Sequence, residues 1–269
     1  MLTQRSYRYP AGRRDTPPRH ERRIPAELSL IASALILAIL WKILVEVRGY
    51  PAFILPAPDL VLRRLVAELA GGTLLLHSRI TLAAAVWGFS LTLAINPVLC
   101  SPLRHAPLLE RVLAPQLAAS QAVPVVAVAP LIILWVGTGL ESRILVAMLV
   151  TFFPILSSTI VALRSVPREL IEMAKISGAN RWQALRLVEF PLALPGIFAG
   201  AKAGLALATT GAVVGEFVGG RDGLGALINI ARGLFDTPLM FTALLMLAII
   251  TLGFYLLATL LERVLVRWE

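Results

Sequence analysis

Glu172-Met173-Ala174-Lys175-Ile176-Ser177-Gly178, running on to Val188-Glu189-Phe190-Pro191, is a polar, basic, Gly-broken segment between two long apolar runs, 144–163 and 192–214. Hydrocarbon has no use for such a segment, but a soluble partner does. Ser165-Val166-Pro167 allows a helix to start, because Pro suits the first turn. Arg168, Glu172 and Lys175 recur on one stripe, while Leu170, Met173, Ala174 and Ser177 form a mostly apolar one. Gly178 can take the left-handed conformation that stops a helix. Asn180, with Gln183 three residues on, reads as the N-cap and capping box of a second helix. That helix is expected to end near Phe190, because Pro191 follows. The product is a helix–Gly–helix hairpin over 165–191.

The chain around it belongs in a membrane. Its 269 residues are 58% hydrophobic, with a mean hydropathy of +0.80. A water-soluble globule is nearer half apolar. Six stretches approach the roughly 20 apolar residues that a spanning helix needs: 28–47, 80–99, 118–136, 144–163, 192–214 and 239–261. They lack the alternation of an outer-membrane barrel, and open sheets cannot expose their edges to lipid. The expected fold is all-α and polytopic, with six transmembrane helices.

A net charge of +9 invites a nucleic-acid reading, but the placement of the charges argues for topology instead. Residues 1–27 are rich in Arg and Pro and are expected to form a disordered cytoplasmic tail. Alternating from there, the inner segments collect 16 Lys and Arg against 7 outside. Both termini and the hairpin therefore fall on the cytoplasmic side. The first run is long enough to span, so it reads as a signal-anchor rather than a cleaved signal. Cys100 has no partner cysteine and reads as an inert small hydrophobe.

Several further residues stand out. Leu60, Leu62, Leu65, Val66 and Leu69 recur at helical spacing after Pro56 and Pro58, and Gly71-Gly72 ends the run. This reads as a short amphipathic helix at the outer surface. The third span carries Pro124 and Pro130 with Gln121 nearby, as beside a cavity or another helix. The fifth is rich in small residues, with Gly196, Gly200 and Gly204 in overlapping GxxxG spacing, and is read as close helix packing. Lys42 and Glu46 read as a paired or snorkelling surface couple. Lys202, in the inner half of the fifth span, either snorkels or meets a gate. Glu216, at the outer end of that span, is either a hydrated terminus or a group that lines the gate or receives a delivering protein. Gln121, Lys202 and Glu216 are thus the candidate pathway or gate residues.

No catalytic constellation is present. The chain has no Gly-x-x-x-x-Gly-Lys-Ser/Thr loop, so it binds and hydrolyses no ATP by that route. His20, His77 and His105 lie in three separate segments, and no metal site or cofactor is expected.

The hairpin resembles the "EAA" signature of permease subunits in binding-protein-dependent ABC importers: Glu-Ala-Ala, three residues, Gly, nine residues, Ile-x-Leu-Pro. Glu172, Ala174, Gly178 and Pro191 match at the proper spacing. Met173, Val188 and Phe190 depart from it conservatively. The resemblance extends over about 55–268. Leu55-Pro56-Ala57-Pro58, Ala129-Pro130-Leu131, Phe152-Phe153-Pro154-Ile155 and Gly211 to Phe217 followed by Gly223-Leu224-Gly225 resemble the branch importing sulfonates, nitrate, taurine and pyrimidine or riboflavin-like vitamins. Gln121-Ala122-Val123-Pro124 and Val213-Val214-Gly215-Glu216-Phe217 look closest to the pyrimidine-precursor and riboflavin permeases. Where the branch usually has small Gly residues, this chain has Asn96-Pro97-Val98, and a kink in the second span is expected.

The resemblance implies the type I ABC importer permease (MetI-like) fold over 28–269, in the bacterial cytoplasmic membrane. It implies that the hairpin docks into ABC ATPase subunits, which bind the ATP. It also implies a periplasmic or lipoprotein solute-binding protein and a homodimer of permeases forming the pathway. The expected substrate is small and polar. Two rivals remain at this stage. An ion-coupled secondary transporter usually carries acidic residues deep in its spans, and this chain has almost none. A membrane scaffold would need no docking hairpin.

Overall fold

The computed structural model describes residues 26–105, 112, 115, 119 and 121–266. The expected tail, 1–27, lies almost wholly outside them. Among the described residues every regular element is helical. α1 spans Ala26–Arg48, α2 Pro58–Ala70, α3 Thr73–His105, α4 Val125–Val136 and α5 Leu140–Arg164. α6 is Arg168–Ile176 and α7 is Arg181–Ala184. A π turn, Leu185–Glu189, leads into α8, Phe190–Gly219. α9, Leu224–Gly233, and α10, Thr237–Leu265, complete the order.

Four helices are long and apolar enough to cross a membrane: Thr73–Cys100, Leu140–Arg164, Arg181–Gly219 and Thr237–Leu265. α1, with 23 residues, and α4, with 12, hold the places of the expected first and third spans. The third is not one unbroken helix. Its chain leaves helical geometry at Pro124 (φ −63°, ψ 117°) before α4 begins. The ring of Pro124 disfavours helical geometry in the residue before it. α3, by contrast, runs unbroken through Pro97.

α5 and α8 form the most extensive contact in the fold, and glycine makes it possible. A Cβ on Gly196 would lie 2.7 Å from Ala162 Cβ, and one on Gly211 would lie 2.7 Å from Ala147 Cα. Between them, Gly200 faces Ser158 and Gly204 faces Ile155. Gly215 completes the seam, with Arg143 Cα 3.1 Å from where its Cβ would be. The partners fall in number as the glycines rise, so the two helices run antiparallel. In hydrocarbon, apolar side chains gain nothing by leaving lipid, so close backbone approach carries the association. α3 joins the same seam, since a Cβ on Gly88 would meet Ala147 Cβ at 2.6 Å. Thr92 and Thr151 pair their hydroxyls at 2.8 Å across α3 and α5.

Glu216 locks the far end. Its side chain is fully buried, and Oε2 accepts from Thr81 Oγ1 at 3.0 Å and from Gly225 N–H at 2.9 Å. Thr81 Oγ1 in turn accepts from Leu224 N–H at 2.9 Å, and His77 Nδ1 accepts from Gly223 N–H at 3.0 Å. The opening N–H groups of α9, which have no intrahelical acceptor, are thus met by side chains of α3 and α8. A carboxylate at a helix N-terminus also complements its dipole. Gly223 has φ +103°, and a Cβ there would run into the Glu216 carboxylate. The hydrated-terminus reading of Glu216 is therefore corrected: α9 folds over it and excludes water. α9 itself went unanticipated, although Leu224, Leu227, Ile228 and Ala231 make a buried stripe at helical spacing.

Gly211→Val is expected to destabilise the purified protein by about 1–3 kcal/mol, because the colliding atoms are backbone that cannot turn aside. Gly253→Ala, on an open face of α10, should be near neutral in the same detergent melt. A Gly211→Val melt as stable as wild type would refute the seam. Glu216→Ala leaves the buried Gly225 N–H without an acceptor, at about 1–3 kcal/mol, while Thr81 keeps His77 O at 3.2 Å. Glu216→Gln keeps a carbonyl oxygen there and should retain more of the stability. Hydrogen exchange at Leu224 and Gly225 is expected to rise in Glu216→Ala first.

Candidate functional site

The hairpin is built as its local chemistry dictates. Pro167 (φ −57°, ψ 132°) precedes α6, and Arg168 opens it. At its end, Gly178 N–H reaches Lys175 O at 3.0 Å and Ala179 N–H reaches Ala174 O at 3.0 Å. This pair of bonds is a Schellman motif, with Gly178 at φ +89°. The capping box forms as well: Asn180 Oδ1 accepts from Gln183 N–H, and Gln183 Oε1 accepts from Asn180 N–H, both at 2.8 Å. Below the hairpin, Leu163, Val166, Ile171, Leu185 and Ala193 form a cluster that roots it on α5 and α8.

The second arm does not end near Phe190. It continues through Pro191 as part of a helix running from Arg181 to Gly219. Pro191 has no N–H to give to the carbonyl four residues back, and its ring crowds that carbonyl. The chain answers by widening: Phe190 N–H reaches back five residues to Leu185 O. One π turn thus absorbs the proline where a break is expected.

α6 buries none of its residues. Met173 is 61% exposed, Ile176 88%, Trp182 66% and Leu187 69%. Between the two arms lies a groove of about 380 Å³, lined by Leu170, Met173, Ala174, Leu187, Val188 and Pro191 among others. The apolar stripe of the sequence is one wall of it. Ala174 and Pro191 line the groove, Gly178 makes the turn, and Glu172 stands exposed on the charged stripe. Apolar surface of this extent rimmed by charge marks an interaction site.

The three candidate pathway residues do not converge. Gln121 is exposed and lines a second groove of about 550 Å³ with Val128, Leu149, Phe153, Pro154 and Leu207. Lys202 neither snorkels nor stands open. Its ammonium pairs with Glu262 of α10 and lies 5.9 Å from the Tyr255 ring centre. Both ends of that pair are mostly buried, at 17% and 21% exposure, so it clasps α8 to α10. Glu216 lies fourteen residues further along α8, about 21 Å away at helical rise. Glu262 escaped the sequence reading because its partner is 60 residues off. Lys42 and Glu46 do pair, at 3.7 Å. Among the described residues, no group of three or more His, Cys, Asp or Glu side chains could hold a metal ion.

Comparison with known proteins agrees with this geometry. Residues 93–268 match the model of the family described as binding-protein-dependent transport system inner membrane component. The chain is 64% identical over 242 residues to the riboflavin transport system permease protein of Chloroflexus aurantiacus, covering 90% of each. It is 32% identical over 236 residues to the formylaminopyrimidine transport permease protein of Halalkalibacterium halodurans, covering 87% of this chain and 93% of that one. It is 30% identical to the taurine transport system permease protein of Escherichia coli, covering 90% of each. Among solved structures, an inward-facing form of the MetNI methionine ABC transporter shares the fold, with a TM-score of 0.60 over 76% of this chain and 97% of that one, at 24% identity. Relatives of this kind are transport subunits, and the ATPase is a separate chain. The chain belongs to the binding-protein-dependent transport system inner membrane component family and is a permease subunit of an ABC importer.

Proposed function

We propose that this permease carries riboflavin, or a flavin close to it, into the cell from a solute-binding protein. The observation that carries this reading is the 64% identity to a riboflavin permease over nearly all of both chains. The Gln121 groove supports it. Phe153 offers an aromatic face to a planar heterocycle, and the Gln121 amide can donate to and accept from its ring edge. Pyrimidine precursors share that planarity, whereas sulfonates and nitrate want a cation, and none is among the described residues lining this groove.

In the same reading two copies of the chain enclose the pathway, each crossing the membrane six times with both termini and the hairpin cytoplasmic. The exposed Met173, Ile176 and Trp182 enter a cleft on the ATPase, and Glu172 meets a basic group at its rim. ATP-driven closure of two ATPases draws the two hairpins together and flips the cavity between inward- and outward-facing packings.

Two experiments test this. Reconstituted with its ATPase and binding protein, the importer should take up riboflavin, with competition from flavins and none from taurine or alkyl sulfonates. Uptake of sulfonates alone would overturn the substrate. For the hairpin, Gly178→Val places a Cβ at positive φ, at about 1–2 kcal/mol. Glu172→Arg puts like charges together at the docking rim. Both variants should reach the membrane at normal abundance, lose about tenfold or more of uptake and shed the ATPase on purification. A cysteine at position 172 should react with an impermeant reagent in inverted vesicles and not in intact cells. Full uptake with the ATPase retained in both variants would remove the hairpin from the mechanism.

A further inference from the structure

α3 carries a groove apart from the hairpin and from the Gln121 groove. Of about 430 Å³, it runs along the helix between α3 and α10. Leu82, Ala83, Val86 and Trp87 form its α3 wall, and Met246 and Ile250 its α10 wall. These α3 positions share one helical face, so the groove lies along the helix axis. At its upper end stand Ser78 and Arg79. Ser78 is 4% exposed, and its hydroxyl has no partner among the described residues.

Arg79 is exposed, and no ion pair or hydrogen bond involves its side chain among the described residues. Arg48 and Arg221 are likewise without a partner among the described residues, but neither lines this groove, and three neighbouring cations are paired. Arg64 pairs with Glu68 at 3.1 Å and with Asp236 at 3.0 Å, Arg63 lies 4.0 Å from Asp59, and Arg232 donates to Asn229. Arg79 sits six residues into a spanning helix, about 9 Å below its start. An ionised side chain at that depth is costly unless it reaches the interface or meets an anion. A guanidinium suits a phosphate ester, which accepts two parallel N–H bonds from it; the Ser78 hydroxyl is closed off from the groove and takes no part. The apolar channel below suits an acyl chain, and a free phosphate would have no use for it. No carboxylate lines the groove, so nothing there would hold the ammonium of a zwitterionic headgroup.

We infer that the α3–α10 groove is a binding site for an anionic phospholipid, with its phosphate on Arg79 and one acyl chain lying against Ala83, Val86 and Trp87. The site adds a lipid requirement to the importer that is independent of which solute it carries.

Native mass spectrometry of the purified importer complex, taken from nanodiscs of equimolar phosphatidylglycerol and phosphatidylcholine, tests this. Phosphatidylglycerol should be retained about fivefold over phosphatidylcholine, the size expected of one interfacial basic residue. Arg79→Gln should abolish that preference, and Ala83→Phe, which fills the channel, should lower retention of both lipids. Arg63→Gln, on α2, should change nothing. Inorganic phosphate at millimolar concentration should not displace the lipid. Equal retention of the two lipids in the wild type, or an undiminished preference in Arg79→Gln, would overturn the proposal. So would a photo-cross-linker at position 83 that captures a second permease chain and no lipid.

Discussion

The close approach of two backbones, α5 and α8, is the constraint from which the rest of this structure follows. Water drives apolar surfaces together in a soluble protein, and that force is missing between helices already in lipid. The glycine ladder replaces it. Gly196, Gly200, Gly204, Gly211 and Gly215 remove the one carbon that would hold the helices apart. Once α5 and α8 are seated, Ala147 is left in a slot that only a Gly88 on α3 can approach. The Thr92 and Thr151 hydroxyls then meet across the seam, in addition to the backbone carbonyls of their own helices.

A second constraint sets the polar clasp at Glu216. In hydrocarbon an unpaired N–H costs several kcal/mol, so the start of α9 needs acceptors before it can lie against the bundle. Glu216, Thr81 and His77 supply them from two helices that the seam has already fixed. The cap is thus tertiary in origin, and α9 packs only where α3 and α8 are in register. The Lys202–Glu262 pair does for α10 what the clasp does for α9.

What could be read in the chain beforehand was what depends on neighbours in sequence. Gly178, Asn180 and Gln183 act on residues within a turn of themselves, so the hairpin was legible down to its capping bonds. The apolar runs were legible because lipid imposes a length. Pro191 misled because its local chemistry says stop, and only the packing of Leu185 and Ala193 at the hairpin root favours one wide turn over a break. Pro124 did break its span. Glu216 stands out in sequence, as a hydrated terminus or a gate or receiving residue, but its partner Thr81 lies 135 residues away and cannot be read from it. α9 was hidden by length: ten residues between glycines and charges look like a loop until something caps them.

The π turn beneath the hairpin has a mechanical meaning. Because Pro191 is absorbed and does not break the helix, Arg181 to Gly219 is one piece of 39 residues. At helical rise that is a rod of about 58 Å, reaching from the docking surface to the Glu216 clasp. Its middle lies against α5 along glycines, which seat Ile155 and Ser158 and bring the two backbones close. A tilt of about 10° around that contact would carry each end through about 5 Å over a half-length of about 29 Å. The rod is then a lever with its fulcrum at the glycine seam. A displacement at the hairpin end would arrive, reversed in direction, at the Glu216 end, carried by the rod itself.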